Sequence, residues 1–147
     1  MGANHSALAV HMVWHQGEVE KVLGEGAKFV TILRHPVDQF ESMFSYYDLA
    51  KVFHMDIERF VEVYVDGGRE VGWIPSQPQM PRFQGSLGRN QQLWDLGLRD
   101  TSQPAVVRAR VEELDRAFRM VMVAERFDES LVLLGDLLCW PLANLTR

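Results

Sequence analysis

Apolar positions fall into two short runs and several helical stripes. Phe29-Val30-Thr31-Ile32-Leu33 is apolar except for Thr31, and Met120 to Ala124 is a second run of the same kind. Such runs mark parallel strands covered on both faces. Pro36 to about Leu49 places Phe40, Phe44 and Tyr47 at helical spacing, with proline at the first position. Asp56 is placed to cap a helix through Val65, closed by Asp66-Gly67-Gly68. Ala105 to Phe118 predicts a further helix, with Val107, Val111, Leu114 and Phe118 on one face and a Glu112/Arg116 pair on the surface. Asp128 is expected to cap a helix to about Leu138, with Glu129 in its first turn.

The shorter elements are less distinct. Val10 to Trp14 reads as a short strand or helix, and Glu18 to Leu23 as a turn or two of helix closed by Gly24 and Gly26. Gln91 to Leu96 is a short helix or turn. Residues 66–88 hold Gly-Gly, three prolines and several glutamines, and form the one long loop-like segment. The order strand, helix, loop, helix, strand, helix predicts an α/β fold: a parallel sheet with flanking helices.

Composition narrows the class. A chain of 147 residues is the size of one ordinary domain, and 47% hydrophobic with 24% charged residues is a globular balance. A net charge of -5 argues against nucleic acid as a partner. Cys139 is the single cysteine; beside Trp140 in an apolar run it is expected to be a buried thiol, with a disulfide to another segment as the alternative. No apolar run reaches the roughly 18 residues of a membrane helix, and the N-terminus has no signal-peptide pattern.

The chemistry concentrates after the first strand. Arg34 ends it, Pro36 starts a helix, and Ser42 lies two turns on. In open α/β sheets ligands bind outside the carboxyl ends of the strands. A guanidinium and a hydroxyl meeting there suit a phosphate, through bidentate charge-assisted bonds and one more from the serine. The plainer readings are a solvated arginine and a serine bonded back to its own helix.

This arrangement resembles the 3′-phosphate-binding motif of sulfotransferases that use 3′-phosphoadenosine 5′-phosphosulfate (PAPS). The flanks Phe40-Glu41-Ser42-Met43-Phe44, Gly88-Arg89-Asn90, Phe127-Asp128-Glu129-Ser130-Leu131-Val132-Leu133-Leu134 and Leu138-Cys139-Trp140 are similar to those of the galactose-3-O-sulfotransferases, a Golgi family. The similarity runs from about His11 to Trp140. It implies a partial P-loop-like parallel sheet with flanking helices, occupying residues 1–147, and transfer of sulfate from PAPS to the 3-hydroxyl of galactose on a glycolipid or glycan. It implies Arg34 and Ser42 as cofactor-binding residues and no metal. His11-Met12-Val13-Trp14-His15-Gln16-Gly17-Glu18-Val19 looks like a family segment whose histidine is the base, which puts that role on His11. Arg89 and Asn90 are implied as substrate-binding residues, their plainer reading being a solvated arginine and a capping asparagine. Trp73 and Trp94 are candidates for stacking on a sugar or, more simply, core residues.

The family's other hallmarks are expected elsewhere. Its membrane anchor to the lumenal side of the Golgi and its Gly/Ser/Thr-rich phosphosulfate loop with a lysine have no counterpart in these residues. Gly24-Glu25-Gly26-Ala27-Lys28 precedes a strand instead of following one, carries a glutamate where an anion would sit, and reads as a turn. The chain is expected to be the middle of a longer enzyme and inactive alone. The competing readings are an inactive isoform acting as an interaction module that binds the product adenosine 3′,5′-bisphosphate (PAP), and a sulfotransferase for another sugar. Zinc on His11 and His15 lacks a third ligand, and Asn144-Leu145-Thr146 is a glycosylation sequon that matters only in the secretory pathway.

Overall fold

In a computed structural model the described residues are 7–9, 12–66, 90–99 and 101–145. They gather into two compact units, residues 1–34 with 92–147 and residues 35–91.

The first unit is built on a two-stranded parallel sheet. Strand β1, Phe29–Leu33, is where its apolar run places it. Strand β2, Phe118–Val123, pairs with it in parallel from Val30 opposite Met120 to Leu33 opposite Val123, with a bulge between Phe29 and Val30. Helix α1, Gln16–Leu23, precedes β1 and is closed by Gly24 and Gly26, both at positive φ (88° and 87°). Only glycine takes such angles without strain. Val19, Phe29, Leu114 and Met122 are buried.

Several sequence expectations shift in this unit. Helix α6 spans Pro104–Ala117, and β2 begins at Phe118 instead of Met120. The Phe118 ring has left the helical stripe to pack 4.8 Å from Trp14 and 6.2 Å from Phe29. Of the expected face Leu114 is buried and Val107 half-buried, but Val111 is exposed. Among the described residues the ion pair on α6 is Arg110–Glu113 at 2.8 Å, not Glu112–Arg116; Arg110 also donates to the Leu96 carbonyl.

Helix α7, Phe127–Leu138, follows a short 3-10 turn over Ala124–Arg126. That turn moves the helix start, so Asp128 and Glu129 sit inside the first turn and the capping position falls to Arg126, which makes no side-chain cap. Both carboxylates still favour the positive end of the helix dipole. Arg126 pairs with Glu129, and the carboxylate holds the guanidinium in its charged form even more firmly than usual. At the other end Cys139 takes a left-handed conformation (φ 56°) and Trp140 donates its backbone N–H to the Gly135 carbonyl at 2.8 Å. This reversal closes the helix and leaves Cys139 exposed, contrary to the buried thiol expected.

The second unit is a small helical cluster. Helix α2, Pro36–Tyr46, has proline at its start as expected, and α3, Leu49–Phe53, follows a left-handed Asp48. Asp56 caps α4, Ile57–Phe60, by accepting from the Arg59 N–H at 2.8 Å. The helix continues with π geometry through Asp66. Phe60 is fully buried, with the rings of Phe53, Phe44, Phe40 and Tyr64 at 4.8–5.9 Å. Phe40, Phe44 and Tyr47 face this core, as their spacing predicts.

Candidate functional site

The carboxyl end of β1 carries Arg34. It is the first residue past the strand, and its side chain is exposed. Among the described residues its guanidinium enters no ion pair. Its main chain is held at two points: Arg34 donates its N–H to Gln92 Oε1 at 2.9 Å, and Gln92 Nε2 donates to the Arg34 carbonyl at 2.8 Å. A carboxamide offers the same donor and acceptor as a peptide unit, so Gln92 acts there as one rung of a strand.

Gln92 belongs to a short helix, α5, Gln91–Asp95, whose C-terminal turn is bound on several sides. The Trp14 N–H donates to the Asp95 carbonyl at 2.8 Å. Arg110 donates through Nη2 to the Leu96 carbonyl at 2.6 Å, and its guanidinium carbon lies 5.3 Å from the Trp14 ring centre. Gly97, at φ 88°, closes the turn. A Cβ there would stand 2.6 Å from Arg110 Nη2 and 2.8 Å from the Trp14 carbonyl oxygen, so the position requires glycine on both conformational and steric grounds. Trp14 Nε1 is buried without a partner among the described residues.

The end of β2 is held in a parallel way. Ser130, buried in the first turn of α7, accepts from the Val123 N–H at 3.1 Å and donates to the Val123 carbonyl at 3.3 Å. The serine of the Asp-Glu-Ser segment therefore ties its helix to the strand that leads into it.

The remaining candidates fall as follows. Ser42 lies in α2 of the second unit and is exposed. Asn90 stands just before α5 at φ 48°, exposed. His11, Arg89 and Trp73 lie outside the described residues. His15 is exposed at the start of α1 and caps it with no side-chain bond. Trp94 is half-buried with the Arg99 guanidinium 5.9 Å from its ring centre. Lys28 Nζ donates to the Leu137 carbonyl at 3.0 Å, near the negative end of α7. In α1 the Lys21 ammonium bonds to Glu18 and holds its carboxyl below the usual carboxylate range. Among the described residues no three His, Cys, Asp or Glu side chains come together as a metal site, and no helix is long and apolar enough to cross a membrane.

Sequence reading missed Gln92, Arg110, Gly97 and Ser130. Only Gly97 left a local mark, as a glycine ending a short apolar turn. Gln92 acts on backbone 58 residues away and Ser130 on backbone seven residues away, and no local spacing pairs residue 92 with residue 34.

Comparison with known proteins agrees with the motifs. The family model described as galactose-3-O-sulfotransferase matches residues 2–146. Galactosylceramide sulfotransferase of Mus musculus is 33% identical over 148 residues, covering 97% of this chain and 33% of the relative. Galactose-3-O-sulfotransferase 3 of Homo sapiens is 32% identical, covering 92% of this chain and 31% of its own. Galactose-3-O-sulfotransferase 2 of Sus scrofa is 34% identical, covering 90% of this chain and 32% of its own. The chain thus spans about a third of the length of the curated relatives it matches. No solved structure matches. With residues 2–146 matched by the family model, and the strand, proline-started helix and Asp-Glu-Ser helix in the predicted order, the chain belongs to the galactose-3-O-sulfotransferase family.

Proposed function

We propose that these residues are the 3′-phosphate-binding part of an enzyme that transfers sulfate from PAPS to the 3-hydroxyl of galactose on a glycolipid or glycan. The carrying observation is Arg34: an exposed guanidinium one residue past a parallel strand, on a main chain fixed at both its polar atoms. Anchoring of this kind supports recognition of a phosphate, since the backbone from which the fork extends is fixed before the ligand arrives.

The division of labour is as follows. Arg34 and the hydroxyl of Ser42 hold the 3′-phosphate. His11 takes the proton from the galactose 3-hydroxyl as that oxygen attacks the sulfur of PAPS. The sulfuryl group passes to the oxygen, and PAP leaves with the bridging electron pair. Arg89 and Asn90 contact the acceptor. PAPS supplies the activated sulfuryl group, and no step calls for a metal. The names of the relatives support galactose as the acceptor sugar, and the enzyme works at the lumenal face of the Golgi membrane.

The test is binding of PAP against 5′-AMP, which lacks the 3′-phosphate. Arg34→Ala is expected to weaken PAP by about 2–4 kcal/mol, the scale of a lost charge-assisted contact, and to leave AMP unchanged. Arg34→Lys is expected to lose much of the same energy, because an ammonium cannot reproduce the fork. Calorimetry that finds PAP affinity intact in Arg34→Ala refutes the assignment.

A further inference from the structure

We infer that Gln92 is a positioning residue for the phosphate site: its carboxamide sets the main chain of Arg34 and thereby the point from which the guanidinium reaches the ligand. The inference rests on the phosphate reading of Arg34 and adds to it a residue that touches no ligand.

The geometry leads there in three steps. The ladder between β1 and β2 ends at Leu33 opposite Val123. Beyond it the Arg34 peptide groups have left the strand pairing. Gln92 takes up both, as acceptor at 2.9 Å and donor at 2.8 Å. Two bonds to one residue restrain both of its flanking peptide planes, so the direction of the Arg34 Cα–Cβ bond is set while the side chain stays exposed.

The clasp is itself mounted on fixed points. Leu96 N–H donates to the Gln92 carbonyl at 3.0 Å, and Asp95 and Leu96 carbonyls accept from Trp14 and Arg110. Arg110 is only 17% exposed and is further tied to Glu113. The Arg34 backbone is thereby referred to the Trp14 segment and to α6, not to solvent. A residue freed from such restraint regains backbone freedom that phosphate binding must then remove. The Gln92 oxygen and one amide hydrogen are both occupied by Arg34, so its work is done through that residue.

The expected loss on removing the clasp is about 5–20-fold in PAP affinity, from the free energy of fixing one residue's backbone. Gln92→Met keeps length and volume but removes both bonds. It is expected to weaken PAP by that factor while leaving 5′-AMP binding as in wild type, and to have no further effect on PAP in an Arg34→Ala background. A purely structural glutamine would instead lower the melting temperature and weaken both nucleotides alike. Wild-type discrimination between PAP and AMP in Gln92→Met, with discrimination lost in Arg34→Ala, overturns the inference and spares the phosphate reading. Discrimination retained in Arg34→Ala overturns both. Should Gln92→Met not fold, Gln92→Glu carries the comparison: its carboxylate accepts from the Arg34 N–H but donates nothing to the carbonyl, and an undiminished PAP preference in it overturns the inference too.

Discussion

Ser130→Ala isolates what the buried hydroxyl does for the end of β2. The oxygen accepts at 3.1 Å and donates at 3.3 Å to one residue, Val123. A neutral intramolecular hydrogen bond is worth about 0.5–1.5 kcal/mol net. The longer of the two belongs at the low end of that range, so the pair amounts to about 1–2.5 kcal/mol. Alanine returns a few tenths through better helix propensity. The net loss is about 1–2 kcal/mol, which for a chain of this length lowers the melting temperature by about 2–8 °C. The local effect is sharper than the global one. The Val123 amide loses its protein acceptor, and its hydrogen exchange is expected to accelerate about 5–30-fold, the exchange equivalent of that energy. Urea unfolding with an unchanged m-value together with exchange at Val123 gives both readings. A stability change under about 0.5 kcal/mol, or Val123 exchange as slow as in wild type, refutes the strand-clasp role.

Other substitutions test the remaining supports. Gly97→Ala brings a methyl group to 2.6 Å from Arg110 and 2.8 Å from the Trp14 carbonyl at a φ of 88°; about 2–4 kcal/mol should be lost, and a melting curve like wild type would show that the turn relaxes freely. Phe60→Ala empties the centre of the second unit and should cost about 3–5 kcal/mol, read by chemical unfolding; a loss below about 1 kcal/mol would mean the aromatic cluster collapses onto the gap. Lys28→Ala removes one exposed bond to the Leu137 carbonyl; it should cost under about 1 kcal/mol and leave PAP and PAPS affinity unchanged, whereas a weakened PAPS complex would put Gly24 to Lys28 in the phosphosulfate site.

What the sequence determined by itself was local. The first strand, the proline that opens α2, the Asp56 cap and the Phe40/Phe44/Tyr47 face each depend on neighbours within a turn or two, where spacing, fixed φ and a side-chain acceptor act directly. The Arg34 and Ser42 candidates were legible because a strand end followed by a proline-started helix is itself a local signal. The tertiary structure decided what depends on distant partners. It moved Phe118 from the helical stripe into β2, where its ring meets Trp14 and Phe29. It exchanged the Glu112–Arg116 pair for Arg110–Glu113. It turned Cys139 outward, since the chain reverses there to close α7 and a left-handed residue no longer follows the helix's apolar face. Above all it set Gln92 against Arg34, 58 residues away. A carboxamide or hydroxyl can satisfy any open peptide group within reach, so its residue type names no partner; only the folded backbone brings one peptide group to it.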